Sequence, residues 1–234
     1  MRIRVGTSGY SYKEWKGPFY PERLPAKAFL KFYASKLDTV EINNSFYRLP
    51  TEKTLGEWAA EVPDAFSFSL KASQYLTHKL RLKDASEAVT RFWGLREKLG
   101  GKRGPVLVQL PPFVKKDAPL LREFLALLPA GHMAALEFRH ASWFDDEVYD
   151  ALRAKGATLV LSETDESTEE QAKIVATADF AYLRLRRVAY DDAQIAAWAD
   201  QIRAQPWKDA YVFFKHEDAG TGPRLAAKLV ARLA

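Results

Sequence analysis

The sequence predicts an α/β protein, a compact (β/α)8 barrel of the TIM type with a truncated sixth helical unit. Eight short β-rich runs alternate with amphipathic stretches, and no low-complexity linker divides the 234 residues. Hydrophobic residues make up 47% of the chain, enough for a sizeable core. We therefore expect a single domain over residues 1–234, and a doubly wound open sheet is the alternative architecture.

The eight predicted strands are short runs rich in β-branched, aromatic and other apolar residues. They cover residues 3–6, 39–43, 66–71, 106–110, 134–138, 158–161, 181–185 and 211–214.

The predicted helices are amphipathic segments between these strands, at residues 26–37, 52–61, 87–99, 118–128, 145–155, 192–204 and 223–233. Thr51, Ser86, Asp117 and Asp191 are predicted N-caps, because their short polar side chains can accept hydrogen bonds from free N–H groups at a helix start. The polar run 163–170 leaves room for only a short helix after the sixth strand.

Composition limits the function classes. The formal net charge of +5 favours anionic partners over cationic ones, but no long Lys/Arg run marks a nucleic-acid tail. With no cysteine, the chain has no disulfide, thiol nucleophile or thiolate metal site. No apolar run approaches a membrane-spanning length and no signal-peptide pattern follows the first residue, so we expect a cytoplasmic protein without a membrane partner.

Strand parity predicts a functional site. Successive side chains of a strand face opposite sides, so Glu137 and Arg139 share one face while Leu136 and Phe138 share the other. Barrel enzymes place their chemistry at the carboxyl ends of the strands. Polar residues at inward, late-strand positions should meet there: Glu41, Asn43, Lys71, Gln109, Glu137, Arg139, Arg184 and Lys215. The alternative is a structural network, such as an ion pair of Glu137 with Arg184.

Each predicted site residue has a candidate role. Glu41 and Glu137 are candidates for general acid and base and His140 for a proton shuttle, although basic neighbours would hold both carboxylates ionised. The predicted aromatic wall above the mouth comprises Tyr10, Tyr12, Trp15, Phe19, Tyr20, Phe46, Tyr47, Tyr75 and Trp143. The predicted substrate-binding residues are Tyr10, Asn43, Lys71, His78, Gln109, Arg139, Trp143, Arg184 and Lys215.

Basic side chains point to an anionic ligand. Guanidinium groups match phosphate and carboxylate groups bidentately, which suits a cluster of Lys71, Arg139, Arg184, Arg186 and Lys215. No cofactor is predicted. A divalent metal held by two glutamates and a histidine is a minority alternative.

Several motifs occur in order along most of the chain: GTSGYSY at 6–12, TVEINNSFYRLP at 39–50, VQLPP at 108–112 and EFRHASW at 137–143. On these motifs the chain resembles the YecE-like family, also called domain of unknown function 72. The resemblance implies a TIM barrel and no assigned activity. Residues 184–187 read RLRR where many relatives carry RLHG, and residues 213–218 replace a pair of asparagines, so this chain resembles a more basic variant.

Three functions remain open from the sequence. The first is an enzyme, a hydrolase or a lyase, that acts on a phosphate-bearing or other anionic substrate by general acid/base chemistry. The second is a non-catalytic binder of single-stranded nucleic acid, because aromatic residues interleave with basic ones. The third is a glycosidase-like barrel, which requires its two carboxylates to lie about 5 to 9.5 Å apart.

Overall fold

The strands form one parallel sheet that curls into a barrel. The computed structural model describes residues 1–234. The order of the strands in the sheet is β6-β5-β4-β3-β2-β1-β9-β8-β7. Their bounds are β1 (Arg2–Ser8), β2 (Thr39–Ile42), β3 (Ser67–Lys71), β4 (Arg103–Gln109), β5 (Ala134–Glu137), β6 (Thr158–Leu159), β7 (Leu161–Glu163), β8 (Phe180–Leu185) and β9 (Asp209–Phe214).

The two terminal strands of this order, β6 and β7, are halves of one interrupted strand. Only Val160 separates them, and its backbone N–H donates to the carbonyl of Leu136 at 2.9 Å. The first half pairs with β5 and the second with β8. The predicted TIM-type barrel is therefore confirmed, with its sixth strand split, and the open-sheet alternative does not apply.

Nine α-helices connect the strands: α1 (Phe29–Ala34), α2 (Asn44–Tyr47), α3 (Glu52–Glu61), α4 (Ser86–Arg96), α5 (Ala118–Leu127), α6 (Asp146–Lys155), α7 (Glu169–Ala172), α8 (Asp192–Arg203) and α9 (Thr221–Leu233). The four-residue α7 confirms the truncated sixth unit. The short α2 and a π-helical turn at Tyr75–Lys79 were not predicted. By length and hydropathy, none of the helices qualifies as a membrane span.

Three of the four predicted N-caps are confirmed. The side chains of Thr51, Asp117 and Asp191 accept hydrogen bonds from backbone N–H groups three residues later. The prediction of Ser86 is wrong, because the buried Ala85 occupies the N-cap position of α4 and Ser86 is already helical.

The sheet separates two apolar layers, as strand parity predicts. The larger layer, 55 buried residues, lies mainly between the strands and the surrounding helices and includes Val106 and Val108. The smaller layer fills the barrel interior with Leu107, Ala135, Val160, Tyr182, Tyr211 and Phe213. We call this smaller layer the barrel plug. Because it fills the interior, the polar residues beyond it are open only toward the carboxyl ends of the strands.

Candidate functional site

The inward residues of β2, β5 and β8 meet at the mouth of the barrel. The Arg184 guanidinium lies between two carboxylates: its Nη2 donates to Glu41 Oε1 at 2.9 Å and its Nη1 to Glu137 Oε2 at 2.6 Å. None of the three residues is more than 2% exposed. These late-strand polar residues therefore meet at the mouth as predicted, and the ion pair of Glu137 with Arg184, given above as the alternative, is also present.

The Glu41 carboxylate is enclosed by donors. Ser8 Oγ donates to Oε1 at 2.7 Å, Asn43 Nδ2 donates to the same atom at 3.1 Å, and Tyr182 Oη donates to Oε2 at 2.7 Å. Burial acts to raise the pKa of Glu41, but the Arg184 charge and these hydrogen bonds outweigh it and hold the pKa below its ordinary value. The carboxylate of Glu41 is therefore ionised at neutral pH.

The Glu137 carboxylate is bound by three guanidinium groups. Besides the contact with Arg184, its Oε1 lies 3.4 Å from Arg139 Nε and 3.4 Å from Arg186 Nη2. Burial acts to raise the pKa of Glu137, yet these three cations lower it to about 2. The group is therefore ionised at neutral pH and has no proton to give as a general acid.

The ammonium group of Lys71 has no carboxylate partner. Its Nζ donates to Gln109 Oε1 at 2.8 Å and lies 4.4 Å from the centroid of the Phe46 ring. Burial, together with the charge of Arg184, lowers the pKa of Lys71 to about 8. The side chain of Gln109 also faces the Glu137 carboxylate and contributes to the lowering of its pKa.

Positive charge is in excess at the mouth. Lys71, Arg139, Arg184 and Arg186 share only the two carboxylates of Glu41 and Glu137. We call these six residues the mouth network; two of its positive charges are uncompensated. Arg186 is mostly buried and donates to Ser162 Oγ at 2.5 Å, while the side chain of Arg139 is 38% exposed. The uncompensated charge thus lies partly within reach of solvent.

Two histidines near the mouth differ in their contacts. His140 Nδ1 accepts from Ser142 N at 3.1 Å and caps the short helix Ala141–Trp143, and no hydrogen bond or ion pair joins it to the mouth network. His78 packs edge-on against the Phe46 ring that also lies beside Lys71. Burial and the charge of Lys71 lower the pKa of His78, so its imidazole is neutral at pH 7.

Three other predicted binding residues make no hydrogen bond or ion pair with the mouth network. Trp143 is 2% exposed, stacks on Phe138 at 4.4 Å and donates from Nε1 to the carbonyl of Val114, so its ring packs in the core instead of facing a ligand. Tyr10 is half-buried, and burial raises its pKa to about 12. Lys215 is exposed, with its Nζ 3.9 Å from Glu217 Oε1.

Two residues of the predicted aromatic wall, Tyr47 and Tyr75, are exposed near the mouth, and so is Phe113, which was not predicted. Tyr47, Tyr75 and Phe113 are 78%, 56% and 61% exposed and follow β2, β3 and β4. A cavity of about 440 Å³ is lined by Phe46, Tyr47 and Tyr75, among others. For Phe113, the usable signal was its position shortly after the end of β4.

Partners of the mouth network were also missed. Tyr182 shares the strand parity of Arg184, which could have identified it, and Ser8 follows the same rule on β1. Ser162 has the parity of the inward Val160, and the alternation continues across the strand break, so the same rule could have identified it too. No group of three or more His, Asp or Glu side chains is placed to hold a metal ion.

Known proteins resemble the chain over its whole length. The family described as "Protein of unknown function DUF72" matches residues 4–234. UPF0759 protein YunF of Bacillus subtilis (strain 168) is 28% identical over 158 residues, which is 63% of this chain and 54% of YunF. The chain thus aligns with about half the length of that curated relative.

Solved structures of DUF72 family proteins also resemble the chain. The crystal structure of a DUF72 family protein from Thermotoga maritima MSB8 has a TM-score of 0.85 at 27% identity, covering 100% of this chain and 99% of the other. A DUF72 family protein from Enterococcus faecalis V583 has a TM-score of 0.83 at 19% identity, covering 99% and 95%, which is a likeness of fold.

Proposed function

The chain belongs to the DUF72 family, and from this premise we propose that it is an enzyme that binds a small phosphate- or carboxylate-bearing substrate at the mouth of its barrel. The observation that carries the proposal is the uncompensated positive charge of the mouth network above the barrel plug. Inward charges on separate strands are costly unless water or a ligand solvates them. An anionic ligand would balance this charge.

Three cations are available to such a ligand. Lys71 has no carboxylate partner, and Arg139 and Arg186 contact Glu137 only at 3.4 Å. Arg186 also has a buried Nε without a partner. Hydrogen bonds to charged groups contribute about 1.5–3 kcal/mol each, so two of these cations could hold a phosphate group firmly.

The central ion pairs have a positioning role in this proposal. Arg184 uses one nitrogen on each carboxylate, and Glu41 is fixed by Ser8, Asn43 and Tyr182. The network therefore holds its charges in place before a substrate arrives, as electrostatic catalysis requires. Proton transfer is assigned to His78 instead of His140 or the two glutamates, because its imidazole is neutral and packs beside Lys71 on Phe46.

Isothermal titration with inorganic phosphate and a panel of phosphoesters and carboxylates tests the proposal. We expect Arg186→Gln to weaken phosphate binding by about 10-fold or more, since about 1.4 kcal/mol corresponds to tenfold. Arg2→Gln is the matched control, because Arg2 lies at the start of β1, at the opposite end of the barrel. Equal affinities of the three proteins, or no binding by any, would refute the proposal.

A second candidate function, binding of single-stranded nucleic acid, is favoured by the exposed rings of Tyr47, Tyr75 and Phe113. Bases stack on exposed aromatic rings, and Arg81 already lies 5.1 Å from the centroid of Phe113. Affinity for an oligonucleotide should then fall steeply as salt rises and should drop in Tyr47→Ala. A salt-independent signal would remove this candidate.

A further inference from the structure

Lys71 sits in surroundings that favour a reactive amine. It is the last residue of β3, half-buried, and its Nζ makes one side-chain hydrogen bond, to Gln109 Oε1. No carboxylate lies within 4 Å of Nζ, whereas the half-buried Lys116 pairs with Asp145 and Glu147. The amine is therefore not committed to an ion pair.

The charged groups that face Lys71 come from several strands. Arg184 and Arg139 oppose protonation of Nζ, and Glu41 and Glu137 favour it. The Phe46 ring also favours the ammonium form, while it shields one side of Nζ from water. Burial and the guanidinium groups prevail, and the pKa of about 8 leaves about one Lys71 in ten as the neutral amine at pH 7. For a lysine with the ordinary pKa of 10.5, fewer than about one side chain in a thousand is the neutral amine at pH 7.

We infer that Lys71 is a nucleophile that forms an imine with the carbonyl carbon of an aldehyde or ketone bearing a phosphate or carboxylate group. Neighbouring cations and desolvation are the conditions under which a lysine amine becomes nucleophilic. This inference rests on the proposed function, since Arg139 and Arg186 would hold the anionic group of the same substrate.

The chemical step balances without a co-reactant. The Nζ lone pair attacks the carbonyl carbon, a C–N bond forms and the carbonyl oxygen takes up a proton. Nζ then loses a proton and the hydroxyl takes up a second proton and leaves as water. The Nζ lone pair forms the C=N bond, so that the protonated imine results from the net uptake of one proton from solvent. The protonated imine withdraws electrons from the adjacent carbon, which fits a lyase or an isomerase.

Reductive trapping tests the inference. The intact protein is incubated with glycolaldehyde phosphate and cyanoborohydride at pH 7.5, and labelled lysines are located by peptide mass spectrometry. We expect label at Lys71 to exceed that at any exposed lysine, and excess inorganic phosphate to suppress it. Glycolaldehyde, which lacks the phosphate, should label Lys71 more weakly than glycolaldehyde phosphate does, and inorganic phosphate should suppress that label less.

Two variants complete the test. Lys71→Arg keeps the positive charge but not the nucleophile, and Lys71→Met keeps neither, so both variants should lose the preferential label. Circular dichroism checks that both variants fold. Phosphate binding by the wild type without enrichment at Lys71 would overturn this inference and leave the proposed function intact. If the wild type neither binds phosphate nor shows enriched label at Lys71, this inference and the proposed function are both overturned.

Discussion

Replacing Arg184 with Met should destabilise the barrel strongly, because two buried carboxylates share this guanidinium. Glu41 and Glu137 would each lose a short ion pair and remain out of reach of water. Removing one partner of a buried pair typically costs about 3–5 kcal/mol. The pKa of about 2 for Glu137, against an ordinary 4.5, corresponds to about 3 kcal/mol of stabilisation of that carboxylate by its surroundings. We therefore expect a loss of about 3–5 kcal/mol at pH 7.

The pH dependence follows from the sign of the shift. Because the folded pKa of Glu137 is depressed, its stabilisation is present above about pH 4.5 and is lost as pH falls toward 2. Without Arg184, burial raises the pKa values of Glu41 and Glu137, and protonation then relieves the penalty. The difference in stability between wild type and variant should therefore shrink in acid.

Urea unfolding followed by tryptophan fluorescence provides the measurement. Arg2→Met is the control: Arg2 is exposed and pairs with Asp209, so its loss should cost no more than about 1 kcal/mol. Replacing all three charged residues together, Glu41→Leu, Glu137→Leu and Arg184→Met, should recover much of the lost stability. A loss below about 1 kcal/mol for Arg184→Met, or no recovery in the triple variant, would refute the reasoning.

Three further predictions use the same unfolding assay. Tyr182→Phe should cost about 1.5–3 kcal/mol, because the hydroxyl donates to the ionised Glu41; an unchanged midpoint would contradict that role. Gly6→Ala should cost about 3 kcal/mol or prevent folding, since its Cβ would lie 2.0 Å from the carbonyl oxygen of Thr39. Gly56→Ala should instead stabilise the protein by about 0.5–1 kcal/mol, because Gly56 lies within α3 and has open space around it. A larger loss of stability in Gly56→Ala than in Gly6→Ala would contradict the close packing of β1 on β2. Asp117→Ala should cost about 1 kcal/mol as a lost N-cap and Ser86→Ala less than about 0.5 kcal/mol; equal losses would contradict the assignment of caps.

Strand parity explains why much of the fold and of the charged centre could be predicted from sequence. Side chains alternate between the two faces of a strand, which separates the barrel plug from the outer core. The same alternation predicted from sequence that Glu41, Glu137 and Arg184 meet at the mouth. The short polar segment after β7 likewise predicted the truncated helical unit. These features depend on local pattern, which the sequence contains.

Features that depend on packing across the barrel were not predictable in this way. Whether a carboxylate is free or enclosed depends on partners from other strands, such as the hydroxyl of Tyr182 on Glu41. Trp143 could pack inward or face the mouth on the same sequence pattern, and the structure stacks it on Phe138. The break at Val160 has no turn residue to mark it, so the split strand was missed.

The proposed function depends on binding of an oxyanion at the mouth of the barrel. Crystals soaked in tungstate, a strongly scattering analogue of phosphate, test it through an anomalous difference map. We expect a peak at the mouth, within hydrogen-bond distance of Arg186 and of Lys71 or Arg139, that disappears when phosphate is added in excess. A map without a peak at the mouth, or with peaks only elsewhere on the surface, would contradict it.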